Sequence, residues 1–246
     1  MLSTFRESAA LAYGRYVAQT IPPEKSSDSL LIGSLVHLLI LEPDKWDAEV
    51  EEVDARDKRA KAYKTATQDY PDKLIALAPD VERAKQIARS VLEPRTPDAE
   101  LARDLLIDSP GVSEYSHRWT DAATGVPLKV RFDRVTETAK GPTDVSLKTA
   151  ADPSKSAFWR ALWRYGYHIQ AALYGEGFAD LTAQEPDTIF VVVRNQAPFE
   201  VAVYLASPEL IAKGREQLRK DLSALAACRL SDGPWMSEWE THVHVL

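Results

Sequence analysis

Cysteine is nearly absent: Cys228 stands alone in 246 residues. One thiol makes neither an internal disulfide nor a cysteine-based zinc site, and a reducing cytoplasmic setting is expected. Long apolar runs are missing too. The longest, Leu30 to Leu41, is interrupted by Gly33, Ser34 and His37. It falls short of the roughly 20 residues that span a bilayer, so no membrane partner is expected. The start, Met1-Leu2-Ser3-Thr4-Phe5-Arg6-Glu7, lacks the charged opening and apolar middle of a secretory signal. Repeats and low-complexity tracts do not occur. Nor is there an excess of positive charge: 30 Lys and Arg stand against 37 Asp and Glu, a net charge of −7. That balance excludes a generally basic coat of the kind that grips nucleic acid.

What is present suits a folded domain. Apolar residues make up 45% of the chain, and six Trp, nine Tyr and six Phe supply bulk for a core. Residues 1–110 read as mainly helical and 111–230 as a sheet core, within one domain spanning 1–246. Ser3 can cap a helix through Tyr13, and Ile21 to Ser29 is a loop by composition. Leu30 to Leu41 reads as a buried helix stopped at Glu42-Pro43. The charged stretch Glu51 to Tyr70 is expected as a solvated helix or a mobile segment. Asp80 to Leu92 and Asp98 to Ile107 are amphipathic helices. Strands follow at Glu114 to Thr120, Val126 to Val135 and Thr143 to Thr149. A helix is expected over Pro153 to Phe178, then a hairpin of Thr188 to Arg194 with Phe199 to Leu205. A helix from Pro208 to Arg229 leads into a Trp-rich tail. The expected fold class is therefore α/β, a central mixed sheet flanked by helices with a helical N-terminal part.

The informative region runs from Val126 to Lys148. Side chains alternate faces along a strand. Val126, Leu128, Val130 and Phe132 share a core face, and Lys129, Arg131 and Asp133 share the other. On the third strand Val145 and Leu147 point inward, while Asp144, Ser146 and Lys148 point away. If the strands are neighbours, carboxylates and cations converge on one half-exposed patch. Gln170 and Tyr174 follow at i,i+4 on one helical face, after Tyr165-Gly166-Tyr167-His168. Singly, each residue has a plain reading. His37 suits a satisfied core histidine, Asp133 a salt-bridged acid and Lys148 a solvated cation. Trp159 and Trp163, on one helix face, read as core anchors rather than base-stacking platforms.

Their order is more specific. Gly33-x-x-x-His37, Glu114, Arg131-Phe132-Asp133-Arg134, Ser146-Leu147-Lys148-Thr149 and Gln170-x-x-x-Tyr174 together resemble the RecE-like (exonuclease VIII) branch of the PD-(D/E)XK nucleases. That branch is similar in core to the RecB nuclease domain and lambda exonuclease. Phe5-Arg6-Glu7-Ser8 and Leu41-Glu42-Pro43 agree with it, and the likeness runs from about Ser3 to Trp235. The resemblance implies a restriction-endonuclease-like core and a Mg²⁺- or Mn²⁺-dependent exonuclease. The substrate would be linear double-stranded DNA, digested 5′-to-3′ in phage or prophage-type recombination. A homo-oligomeric ring and a single-strand annealing partner are implied with it. Carried onto matching positions, Asp133 is the bridging metal ligand and Glu114 an outer one. His37 lies beside the metal, the Leu147 carbonyl completes the shell, and Lys148 orients water or steadies the phosphate. Gln170 and Tyr174 would touch the DNA backbone or steady Lys148, and Lys129, Arg131 and Arg164 would meet DNA.

Two positions depart from that pattern. Phe132 replaces the proline of the Pro-Asp pair, a mild change at a core-facing site. More seriously, Ser146 replaces the acid of the (D/E)-x-K triad among the expected catalytic residues. Asp144 lies two residues upstream, about 6.6 Å along a strand, too far to ligate without a bulge or register shift. Three readings stay open: an engineered inactive variant, a natural pseudo-nuclease that still binds DNA, or a rearranged site using Asp144. Charge is also uneven. From Tyr115 to Tyr174 nine basic residues face five acidic ones, a local +4 within a chain of −7. Local charge guides a polyanion better than the total does.

Overall fold

Five strands form one mixed sheet in the computed structural model, which describes residues 1–22, 27–231 and 233–236. Residues 23–26 of the expected loop, and the part of the tail holding Trp239, lie outside the described residues.

In the first part, α1 (Leu2–Glu7) and α2 (Ala9–Ala12) meet at Ser8. Its Oγ accepts from the Leu11 N–H at 3.1 Å and starts the second helix, which breaks the single helix expected from Ser3. Then come α3 (Asp28–Leu41), α4 (Trp46–Glu49), β1 (Val50–Val53), α5 (Lys61–Asp69), β2 (Leu74–Leu77), α6 (Ala78–Leu92) and α7 (Pro97–Arg103). The parallel pair β1–β2 corrects the reading of the charged stretch, whose strand is too short to show alternation. Within that stretch α5 is a largely solvated helix that buries only Ala66.

The second part holds β3 (Gly111–Thr120), β4 (Pro127–Thr138), β5 (Gly141–Ala150), α8 (Lys155–Tyr165), α9 (Tyr167–Thr182), β6 (Asp187–Arg194), β7 (Val201–Leu205) and α10 (Pro208–Leu230). The strand order is β3-β4-β5-β6-β7, with β5–β6 parallel and the other pairs antiparallel. The expected 153–178 helix is two helices. Gly166, at φ 71°, ends α8 in the left-handed conformation that glycine adopts without steric cost. A Cβ there would also lie 2.7 Å from the Arg6 guanidinium.

Helices cover both faces of the sheet. Val145 and Leu147 of β5 and Val191 and Val193 of β6 pack under α3 and α6. On the other face Leu128, Phe132, Phe190 and Val192 pack under α8, α9 and α10. This corrects the sequence reading in two ways. The apolar residues of β4 and β5 face opposite layers, because alternation slips where Phe132 and Asp133 are buried in succession. The polar face of β5 is not half-exposed, because Asp144 and Ser146 lie beneath the α9 layer at 0% and 1% exposure.

Asp144 is the extreme case. Among the described residues neither of its carboxyl oxygens has a hydrogen-bond partner. Burial, aided by the Asp133 carboxylate and opposed by Lys148, pushes its pKa from 3.8 up to about 8. Across that window the folded protein keeps a proton that the unfolded chain has lost, so Asp144 costs more stability as pH rises. Asp144→Asn mimics the neutral acid. It is expected to raise the melting temperature by more near pH 8 than near pH 5. Thermal denaturation at both values checks this, and an equal gain at both would contradict it.

Candidate functional site

Among the described residues, only Thr143 to Val145 of β5 have strands on both sides. β4 pairs with it from Thr138↔Gly141 to Arg134↔Val145, whereas β6 accompanies it as far as Ala150. Past Val145 the β4-side edge of β5 has no strand, and its backbone groups need other partners. The Leu147 N–H donates to Asp133 Oδ2 at 2.9 Å, and the Leu147 carbonyl accepts from His37 Nε2 at 3.0 Å. Two side chains thus stand in for a missing strand.

That arrangement orients both. A nitrogen that donates to a carbonyl carries the proton, so the neutral His37 ring offers the Nδ1 lone pair. Nδ1 lies 3.5 Å from Glu114 Oε1 and 3.9 Å from Asp133 Oδ1. Glu114 reaches this point from a kinked strand. Its φ is 52°, and β3–β4 pairing passes from Ser113↔Arg134 to Tyr115↔Phe132 without it. A non-glycine residue held there carries strain of roughly 1–3 kcal/mol, a cost that collects at functional sites.

One ligand atom from each of His37, Glu114 and Asp133 falls within 4.8 Å of the others. Oxygen ligands sit about 2.0–2.6 Å from Mg²⁺ or Ca²⁺, so atoms on opposite sides of one ion are about 4–5 Å apart and this set fits. Two carboxylates and one imidazole suit a hard divalent cation. The Lys148 ammonium is 3.6 Å from Asp133 Oδ2 and 5.4 Å from the centre of the Tyr167 ring, so it is a held cation rather than a solvated one. Arg131 pairs with Glu114 and, at 3.1 Å, with Glu42.

Other expected site residues lie farther out. Ser146, buried at 1% exposure, has its Oγ accepting from Gln170 Nε2 at 3.4 Å. Gln170 thus meets β5 at Ser146, under the face that α9 covers. The Tyr174 hydroxyl lies near the Gln170 side chain and the Arg131 backbone, and its ring meets Phe132 at 5.2 Å. Burial, with Asp133 and Asp144 nearby, holds its pKa well above the ordinary tyrosine range. Asp144 is sealed in and does not join the cluster. Lys129 is exposed, directly opposite Arg118. Arg164 is exposed on α8, 5.6 Å over the Tyr165 ring. Trp159 and Trp163 are also exposed, correcting their reading as core anchors.

A cleft of about 1030 Å³ opens over the cluster, with Gly33, His37, Asp133, Lys148, Tyr165 and Tyr167 in its wall. The sequence reading assigned no role to Glu42, Arg118, Tyr165 or Tyr167. The first sits in the Leu41-Glu42-Pro43 motif and the last two in the Tyr165 to His168 run, so both segments were visible without their roles. A separate cleft of about 810 Å³, beside Arg89, Arg95 and Phe199, shares no residue with this one.

Comparison with known proteins agrees with this geometry. In overall fold the chain is similar to a crystal structure of a "putative exonuclease" from Eubacterium rectale. The TM-score is 0.59 at 12% identity, over 97% of this chain and 82% of that one. The crystal structure of SSO0001 overlaps at a TM-score of only 0.34 and 14% identity, over 94% and 88% of the two chains, and carries no argument. No curated protein matches in sequence. Residues 1–238 match the family described as a PDDEXK-like domain of unknown function, DUF3799, and the chain belongs to that family within the PD-(D/E)XK nuclease superfamily.

Proposed function

We propose that this protein hydrolyses phosphodiester bonds of linear double-stranded DNA from an end, as a divalent-metal-dependent exonuclease. The observation that carries the reading is the meeting of His37, Glu114, Asp133 and Lys148 where β4 leaves β5. In the reaction a water oxygen attacks phosphorus, the phosphorus–oxygen bond to the leaving strand breaks, and the departing oxygen takes up a proton. A bound Mg²⁺ or Mn²⁺ supplies Lewis acidity and acidifies a water molecule. His37, Glu114 and Asp133 would hold that ion, with the Leu147 carbonyl beside them. Lys148, anchored by Asp133 and Tyr167, presents ammonium protons to the water or to charge developing on the phosphate.

The same face of β3 and β4 continues into Arg118 and Lys129. Like charges directly opposite on paired strands destabilise a sheet, and a phosphate backbone offsets that repulsion. Arg131, Arg164, Gln170 and Tyr174 belong to the DNA path in this reading. The order of the motifs supports the finer assignments: membership of the RecE-like branch, 5′-to-3′ polarity, a role in phage or prophage-type recombination, a ring of identical subunits and a single-strand annealing partner. Among the described residues no helix is long and apolar enough to cross a membrane.

Ser146 sets the level of activity. Glu114 and Asp133 are paired with Arg131 and Lys148, and Arg131 is shared with Glu42. An acid at position 146 would add negative charge to draw a divalent cation, which serine does not supply. Cleavage by this sequence is therefore expected to be weak, and Ser146→Asp is expected to raise it in a Mg²⁺ or Mn²⁺ assay on linear duplex DNA. In that background Lys148→Ala should slow cleavage by about 10²–10³-fold. Mn²⁺ titration by calorimetry should show about tenfold or greater weakening in Asp133→Asn, which removes a charged ligand.

The absent acid also favours a second reading, a DNA-binding pseudo-nuclease. It predicts salt-dependent DNA binding with no cleavage by Ser146→Asp, even though that variant is folded and binds metal. Such a result would discard the exonuclease reading and keep the binding one.

A further inference from the structure

Helix α8 reads Lys155-Ser-Ala-Phe-Trp-Arg-Ala-Leu-Trp-Arg-Tyr165, with three basic residues and no acid. Phe158 and Leu162 fix it to the sheet, packing with Phe190, Val192 and Leu210. Its large aromatics lie on the outside instead: Trp159 is 53% exposed, Trp163 41% and Tyr165 58%. Apolar rings left in water on a single helix mark an interaction surface.

The rings are arranged in order. Trp159 and Trp163, one turn apart, have centroids 5.6 Å from each other, and Tyr165 lies 5.8 Å from Tyr167. Tyr165 and Tyr167 are also walls of the cleft that holds His37, Asp133 and Lys148. Tyr165 thus adjoins the candidate site, while Trp159 and Trp163 lie on the other flank of α8, across the exposed Arg160 and Arg164. The Arg164 guanidinium lies over the Tyr165 ring.

We propose that the exposed face of α8 is a platform for single-stranded DNA, on which unpaired bases of a strand passing the cleft stack against Trp159 and Trp163 while Arg160 and Arg164 meet its phosphates. The proposal rests on the reading of the cleft as a DNA-hydrolysing site. Three features favour this occupant. A base in a duplex has no free face to offer a ring, whereas an unpaired base does, and base–aromatic stacking tolerates any sequence. The wholly basic charge of the helix complements a polyanion. The C-terminal end of α8, at Tyr165, forms part of the cleft wall, so a strand lying along the helix ends beside the metal cluster. A second copy of the chain is the competing occupant, because tryptophan and arginine are also common where proteins meet.

The test uses the full chain in EDTA, with a fluorescent single-stranded oligonucleotide and a blunt duplex of the same sequence. Trp159→Ala/Trp163→Ala is expected to bind the single strand about tenfold or more weakly, and to lose more affinity for it than for the duplex. Trp159→Phe/Trp163→Phe should recover most of the loss, because a smaller ring still stacks. The proposal falls if the alanine variant, with unchanged circular dichroism and melting temperature, binds the single strand as the unaltered protein does. It falls equally if the substitutions abolish self-association in light scattering and leave single-strand affinity intact, since the face would then join copies. Either result, with duplex binding retained by the unaltered protein, leaves the nuclease reading standing. Binding of neither DNA by the unaltered protein overturns both.

Discussion

The parting of β4 from β5 at Asp133 is the constraint on which the site depends. A strand edge that loses its neighbour inside a protein leaves peptide groups that cannot be left bare, because an unpaired buried donor or acceptor costs about 1–3 kcal/mol. Here Asp133 and His37 supply what the absent strand would have given to Leu147. In doing so they come from different elements, β4 and α3, and are fixed at one spot. The geometry of the cleft and the satisfaction of the backbone therefore use the same two side chains. Changing either residue alters both.

The gap also lets groups from opposite sides of the sheet meet. Lys148 follows Asp144 and Ser146 along the face that α8 and α9 cover, while His37 approaches from the α3 side. In a continuous sheet the backbone would separate them. Asp133, at the gap, touches both. Compensation of charge is local as well: Arg131 spans Glu42 and Glu114, tying the end of the His37 helix to the β3–β4 pair.

Much of this was legible in residue order. Alternation in β4 and β5 located the strands to within a few residues, and the spaced motifs singled out His37, Glu114, Asp133 and Lys148 before any coordinates. What alternation could not reveal was its own interruption. The slip at Phe132 and Asp133 depends on the left-handed backbone of Glu114 and on a strand that ends its pairing early, neither of which has a one-residue signature. Trp159 and Trp163 failed in another way. Spacing shows that two rings share a helical face, but which face turns inward was decided by Phe158 and Leu162 on the same helix. The β1–β2 pair, four residues each, was too short to announce itself. Gly166 was visible within an aromatic run, yet the guanidinium packed beside it, 160 positions earlier in the chain, was not.

That last contact reaches beyond geometry. The corner at Gly166 supports Tyr167, over whose ring Lys148 lies, and the Arg6 side chain fills the space beside it while pairing with Asp221 at 3.4 Å. Three regions far apart along the chain thus share one joint. Contacts of such separation form slowly, because the intervening chain must close a long loop before they give any return. The first helix packs into one cluster with Val126, just before β4, Leu128 of β4, Ile169 of α9, and Leu218 and Leu222 of α10. The wall beneath Lys148 is completed by segments far apart along the chain, so the motifs exist in sequence long before they form a site.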